Sequence, residues 1–110
     1  MMNFKVIVAA LKPNVTDDVV DAAKECGISG ATILPGRGTG MHEAQTFLGL
    51  TLEMQTDVVI FLAEEELVEP LMVAIQKAGS LDEHGTGVVF VLAVEQVAGI
   101  KEEIVRREPK

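Results

Sequence analysis

The sequence predicts an α+β fold, with four main strands and two helices in the order β-α-β-β-α-β, closing an antiparallel sheet with both helices on one face. Three observations carry the prediction. Apolar runs without helical period alternate with two stretches of period 3.6. Each of those stretches opens on acidic residues and closes on glycine, Asp17-Asp18 to Gly27 and Glu64-Glu65-Glu66 to Gly79. Finally, Val58-Val59-Ile60-Phe61-Leu62 and Val88-Val89-Phe90-Val91-Leu92 are apolar without a break.

The first strand is expected from Phe4 to Leu11, β-branched and apolar, and Lys12-Pro13-Asn14 ends it. Asn14 or Thr16 is placed to cap a helix whose first turn holds Asp17 and Asp18. Val19, Ala22, Ala23 and Cys26 follow at i, i+3, i+4 and i+7, one buried stripe, and Gly27 stops the helix. Ile28 to Leu34 reads as the second strand, ending at Pro35. Met41 to Gln45 reads as an exposed, mobile loop. Thr46 to Glu53 suggests a strand interrupted by Gly49, and the polar Met54-Gln55-Thr56-Asp57 reads as a turn. Val58 to Ala63 is the third core strand. The second helix starts at Glu64 to Glu66 and buries Leu67, Val68, Leu71, Met72, Ile75 and Ala78; Pro70 fits only in its first turn. Ser80 to Gly87 is a loop, Val88 to Val94 the last core strand, and Glu95 to Ala98 a short helical turn. The charged tail, Lys101 to Lys110, is expected to fray or to pack on a neighbour.

This order is the split βαβ, or ferredoxin-like, plan. With helices on one face only, the strands should alternate apolar and polar residues. Two of them do not, so both faces need cover. Two helices cover one face, and the open face is expected to meet the same face of other copies in an obligate oligomer.

A length of 110 residues fits one domain spanning 1–110, with 48% hydrophobic and 24% charged residues, a globular balance. The formal net charge of -8 argues against nucleic acid or an anionic membrane surface as the main partner. One cysteine, Cys26, allows no intramolecular disulfide and fits a reducing, cytoplasmic setting; on its apolar stripe it reads as a small core residue. The apolar run Val6 to Leu11 is too short to span a bilayer.

The chemistry-bearing stretch is Thr32-Ile33-Leu34-Pro35-Gly36-Arg37-Gly38-Thr39-Gly40, with glycine at three alternate positions and one arginine among them. Backbone N–H groups in such a segment can cradle an anion, and Arg37 adds a charge-assisted donor. A plain flexible turn is the competing reading, since short glycine-rich segments are weak motifs. A second segment, Gly85-Thr86-Gly87, is expected to face the first.

Taken together, Lys12-Pro13, Asp17-Asp18-Val19, Gly27-Ile28-Ser29-Gly30-Ala31-Thr32, Gly38-Thr39-Gly40, Val59 to Val68 and Gly85-Thr86-Gly87-Val88-Val89-Phe90-Val91-Leu92-Ala93-Val94 resemble the P-II nitrogen-regulatory signalling proteins, essentially end to end. The resemblance implies a homotrimer of ferredoxin-like subunits with open sheet faces turned inward. It implies a cytoplasmic, non-enzymatic sensor that binds an adenine nucleotide between subunits. Occupancy would reach a regulated partner, a transporter or a metabolic enzyme, through a flexible loop, here Met41 to Gln55. By position Thr32 would meet the adenine, and Gly38, Thr39 and Gly40 would line base and phosphates. Leu62 would form an apolar wall, Gly85, Thr86 and Gly87 would offer backbone N–H groups to phosphate, and Lys101 would reach across from a neighbour.

Several positions depart from the family pattern. The lysine that follows the second Gly-X-Gly is Val88 here, and the two phosphate-clasping arginines are Gly99 and Lys101. Arg37 stands where the family often has lysine and compensates in part. The triphosphate grip should be weaker, which leaves ATP, ADP and AMP as alternatives, with Mg open. His42 and Thr56 replace the glutamine and lysine associated with 2-oxoglutarate, so sensing of that acid is not expected. The chain has no tyrosine to uridylylate, and no serine between Gly30 and Gly79. Two other readings keep the same scaffold: a trimeric metal-binding, ion-tolerance protein using His42, Glu43 and His84, and a small-molecule regulatory module. An enzyme is not expected, because no nucleophile–base arrangement and no Walker pattern is present.

Overall fold

The computed structural model describes residues 3–38, 45–47, 50–52, 54–83 and 85–100. Its elements are β1 (Phe4–Leu11), α1 (Pro13–Glu25), β2 (Thr32–Gly38), β3 (Gln45–Phe47), β4 (Leu50–Leu52) and β5 (Met54–Glu64). A 3-10 turn (Glu65–Leu67), α2 (Val68–Gly79) and β6 (Gly87–Ala93) complete them. The four long strands form one antiparallel sheet in the order β2-β5-β1-β6, and β3 pairs with β4 in a separate two-stranded ribbon. With the ribbon set aside, this is the expected ferredoxin-like sheet.

Alternation along the strands divides the sheet cleanly. Ile7, Ala9 and Leu11 of β1 pair with Phe61, Val59 and Asp57 of β5. That face is buried: Ile7, Ala9, Leu11, Val59, Phe61 and Ala63 join Val19 and Ala23 of α1 and Leu71 and Ile75 of α2 in one core. The helices pack on each other, α1 also on β5 and α2 on β1 and β6. The opposite face is just as apolar and is open. Its middle, Val6, Val8, Ala10, Val58 and Ile60, is half-buried, and Leu34, Leu62, Val88, Phe90 and Leu92 around it are 38% to 51% exposed. The unbroken apolar runs thus have their physical reason: both faces of β5 and β6 carry apolar side chains.

Several local expectations are corrected. Neither Asn14 nor Thr16 caps α1. The N-cap is Lys12, without a side-chain bond, and Pro13 opens the helix, where its missing N–H costs nothing. Starting that early leaves Asp17 and Asp18 outside the first turn, on the exposed side. Thr16 instead turns inward, and its hydroxyl donates to Asp57 Oδ2 at 2.7 Å and lies 3.4 Å from the Lys12 carbonyl. The second strand is not Ile28 to Leu34. Ile28 belongs to the end of α1, where Gly27 takes φ +106 and its N–H donates to Lys24 O, while the Ile28 N–H donates to Ala23 O. That pair of bonds is a Schellman cap with an apolar residue behind it, so Gly27 acts as expected.

The strand that follows begins at Thr32 and continues through Pro35 and Gly36 to Gly38. Proline is tolerated because β2 is an edge strand and one side of its ladder is unused. Met54-Gln55-Thr56-Asp57 is not a turn but the start of β5, paired residue for residue with Gly38, Arg37, Gly36 and Pro35. Local polarity suggested a turn, and the ladder to β2 overrides it. Where one interrupted strand was expected over Thr46 to Glu53, two short strands pair as a hairpin. The second helix opens with the 3-10 turn at Glu65 rather than at Glu64, which ends β5, and Pro70 lies in the first turn of α2, as required. The last strand is Gly87–Ala93 rather than Val88 to Val94. Glu95 to Ala98 forms no helical turn. Of the loop expected over Met41 to Gln45, Gln45 is instead the first residue of β3, and residues 41–44, like the tail 101–110, lie outside the described residues.

Candidate functional site

The first glycine segment is extended rather than coiled. Gly36, Arg37 and Gly38 are strand residues opposite Thr56, Gln55 and Met54, so through Gly38 the segment forms no anion-binding concavity of the kind anticipated from the glycine spacing. Thr39 and Gly40 lie outside the described residues. Alternation along β2 sets Thr32, Leu34 and Gly36 on the open face and Arg37 on the helix-bearing side, and Arg37 is exposed.

The second segment is a true turn. Gly85 has φ +79 and Gly87 φ +150, and a Cβ on Gly87 would lie 2.5 Å from the Ala10 carbonyl oxygen. Only glycine lets β6 start this close to β1. The turn hangs from the end of α2. There Ser80, not a glycine, takes the left-handed conformation at φ 54 and ψ 44. Gly79 is needed for packing instead: a Cβ there would meet Leu81 Cδ2 at 3.2 Å and Val19 Cγ2 at 3.4 Å. The Thr86 hydroxyl is committed to its own loop, 2.7 Å from the Ser80 carbonyl and 2.9 Å from that of Glu83. Whatever Thr86 offers a ligand comes from its main chain.

Sheet register locates these parts relative to one another. Pro35, Asp57, Leu11 and Gly87 lie in one row across the four strands. Gly38 and Gly85-Thr86-Gly87 are therefore at the same end of the sheet, but on opposite edges, about 14 Å apart by three strand spacings. Thr32 and Leu62 are elsewhere. Thr32 pairs with Ile60, and Leu62 with Val6, which is five residues along β1 from Leu11. That separation is about 17 Å. Both are exposed, and alternation puts both on the open face. Thr32 thus lies in mid-sheet, in the row of Ile60 and Val8 three residues from Pro35, and Leu62 two residues further along, while Arg37, Gly38 and Gly85 to Gly87 lie at the other end. Lys101 lies outside the described residues.

Thr56 enters the sequence reading only as a departure from the family pattern, and its burial is not legible there. It is 5% exposed, opposite Gly36, and among the described residues its hydroxyl has no hydrogen-bond partner. Nothing in the local sequence marks it, because the stretch looked like a turn. Among the described residues no group of three His, Cys, Asp or Glu is placed to hold a metal; His42, Glu43 and His84 lie outside them. No described helix is long and apolar enough to cross a membrane.

A four-stranded βαββαβ sheet with one open apolar face and two glycine segments at one end defines a small α+β domain of ferredoxin-like plan. A family profile described as Nitrogen regulatory protein P-II matches residues 4–104. A protein named nitrogen regulatory protein P-II from Azospirillum brasilense is 34% identical over 102 residues, 88% of this chain and 91% of that one. Proteins of the same name from Rhodospirillum rubrum and Rhizobium meliloti are 32% and 33% identical, again over 88% of this chain and 91% of theirs. The chain belongs to the nitrogen regulatory protein P-II family.

Proposed function

We propose that the chain is a cytoplasmic, non-enzymatic sensor that assembles as a homotrimer through its open sheet faces. It binds an adenine nucleotide in the clefts between subunits and signals occupancy to a partner protein through the segment from Met41 to Gln55. Thr32 and Leu62 of one subunit hold the base. Arg37, Gly38, Thr39 and Gly40 of the next line base and phosphates, and the main chain of Gly85, Thr86 and Gly87 meets the phosphates, with Lys101 reaching across from a neighbour. The partner, a transporter or a metabolic enzyme, is read through shape and charge at the loop.

The observation that carries this reading is the separation of the candidate residues. On one chain Thr32 and Leu62 stand on the open face away from the end that carries Gly38 and the Gly85–Gly87 turn, and Gly38 and that turn are themselves on opposite edges, about 14 Å apart. Adjacent copies stacked by their open faces can bring one group of each together. The exposed apolar face supplies the reason to stack: large exposed apolar patches mark interaction surfaces.

Isothermal titration with ATP, ADP and AMP, with and without Mg and with 2-oxoglutarate added, tests it, alongside sedimentation equilibrium for mass. The expected result is a trimer taking up one nucleotide per subunit, with no added effect of 2-oxoglutarate. A folded trimer that binds none of the three would overturn the nucleotide reading, and a stable monomer would overturn the assembly.

A further inference from the structure

We infer that the second glycine turn is a preformed cradle, and that Thr86 is the positioning residue that holds it, without itself meeting the ligand. The inference rests on the phosphate-binding role proposed for Gly85 to Gly87.

The loop is fixed at both ends and across its middle. At its start, the Ser80 and Leu81 N–H groups donate to the carbonyls of Lys77 and Gln76, which locks Ser80 as the left-handed cap of α2. The Glu83 N–H donates back to Ser80 O at 3.0 Å, closing a turn on that cap. At its end, Gly87 is clamped by the Ala10 carbonyl and by Leu81, whose Cδ2 would lie 3.1 Å from a Cβ there. Thr86 joins the two halves. Its hydroxyl proton is shared between the carbonyls of Ser80 and Glu83, so the residue between the two glycines is tied directly to the helix cap.

A glycine-flanked loop without such ties would have to be ordered by its ligand, and that ordering would subtract from affinity. Here the side chain does the ordering beforehand. The hydroxyl is the one group on Thr86 able to do so, and its hydrogen is already used. Ser80 keeps a conformation that L-residues avoid, and the two bonds converging on its carbonyl hold it there.

The test compares wild type, Thr86→Val and Thr86→Ser in the full chain, by hydrogen exchange of the 81–87 amides without ligand and by titration with ADP. Thr86→Val should raise exchange in that segment about 10-fold and weaken ADP about 3–10-fold, the equivalent of one lost hydrogen bond, while Thr86→Ser retains both properties. Weaker binding with unchanged exchange would make Thr86 a direct ligand contact and overturn the inference. Faster exchange with unchanged affinity would overturn it too, leaving a purely structural bond. If wild type binds no nucleotide, the functional reading has failed, and the exchange measurement still decides whether the cradle is preformed.

Discussion

At the scale of single residues, Gly87 and Thr56 show opposite degrees of legibility. Gly87 sat in a visible Gly-X-Gly, but the reason for it is a contact no sequence displays, the approach of the Ala10 carbonyl from a neighbouring strand. Gly87→Ala should destabilise the fold by about 2–3 kcal/mol in urea unfolding, since both the φ and the Cβ position are refused. Thr56 carries a hydroxyl that folding buries and that has no hydrogen-bond partner among the described residues. Valine has the same shape without that group, so Thr56→Val should leave the melting temperature unchanged or raise it, by up to about 1 kcal/mol in stability. A clear loss would mean that the hydroxyl finds its partner only in the assembled protein. Arg37, expected in a surface glycine loop, is exposed but is a strand residue. Its side of β2 follows from a register that only the pairing with β5 reveals.

At the scale of elements, periodicity served well and boundaries failed for identifiable reasons. The apolar faces of α1 and α2 are buried as their spacing indicates, because a 3.6 period has one physical use in a chain of this kind. The polar start of β5 was misread because a strand paired with an edge needs no apolar residue at its tip. The same misreading hid the bond that joins that tip to α1. Thr16 donates to Asp57 at 2.7 Å and so ties α1 to the sheet. Thr16→Val should cost about 1–2 kcal/mol in thermal unfolding, near the range for a hydrogen bond to a charged acceptor. Loosened amide exchange should then extend from the first turn of α1 to residues 54–58. Protection lost in α1 alone would show that the two elements are not mechanically joined.

For the molecule as a whole, the sheet announced itself through what it lacks, an alternating polar face. Phe90 lies on that face, paired with Val8 and 44% exposed. If the open faces meet as proposed, Phe90→Asp should dissociate the assembly into monomers in sedimentation runs, because the carboxylate would be buried with no cation on the described part of the face to meet it. An unchanged trimer would move the interface elsewhere. What could not be foreseen is how the candidate residues are spread over the sheet, with Thr32 and Leu62 set apart from Gly38 and Gly87, since register is a property of pairing and not of composition. That placement has a genetic consequence. If, as proposed, each cleft takes Thr32 from one subunit and Arg37 from the next, a chain damaged at Thr32 and a chain damaged at Arg37 should each be inert alone, yet co-assembled in equal amounts they should restore about a quarter of the clefts. Two silent alleles would then complement one another, and the fraction of recovered binding would count the chains that make one site.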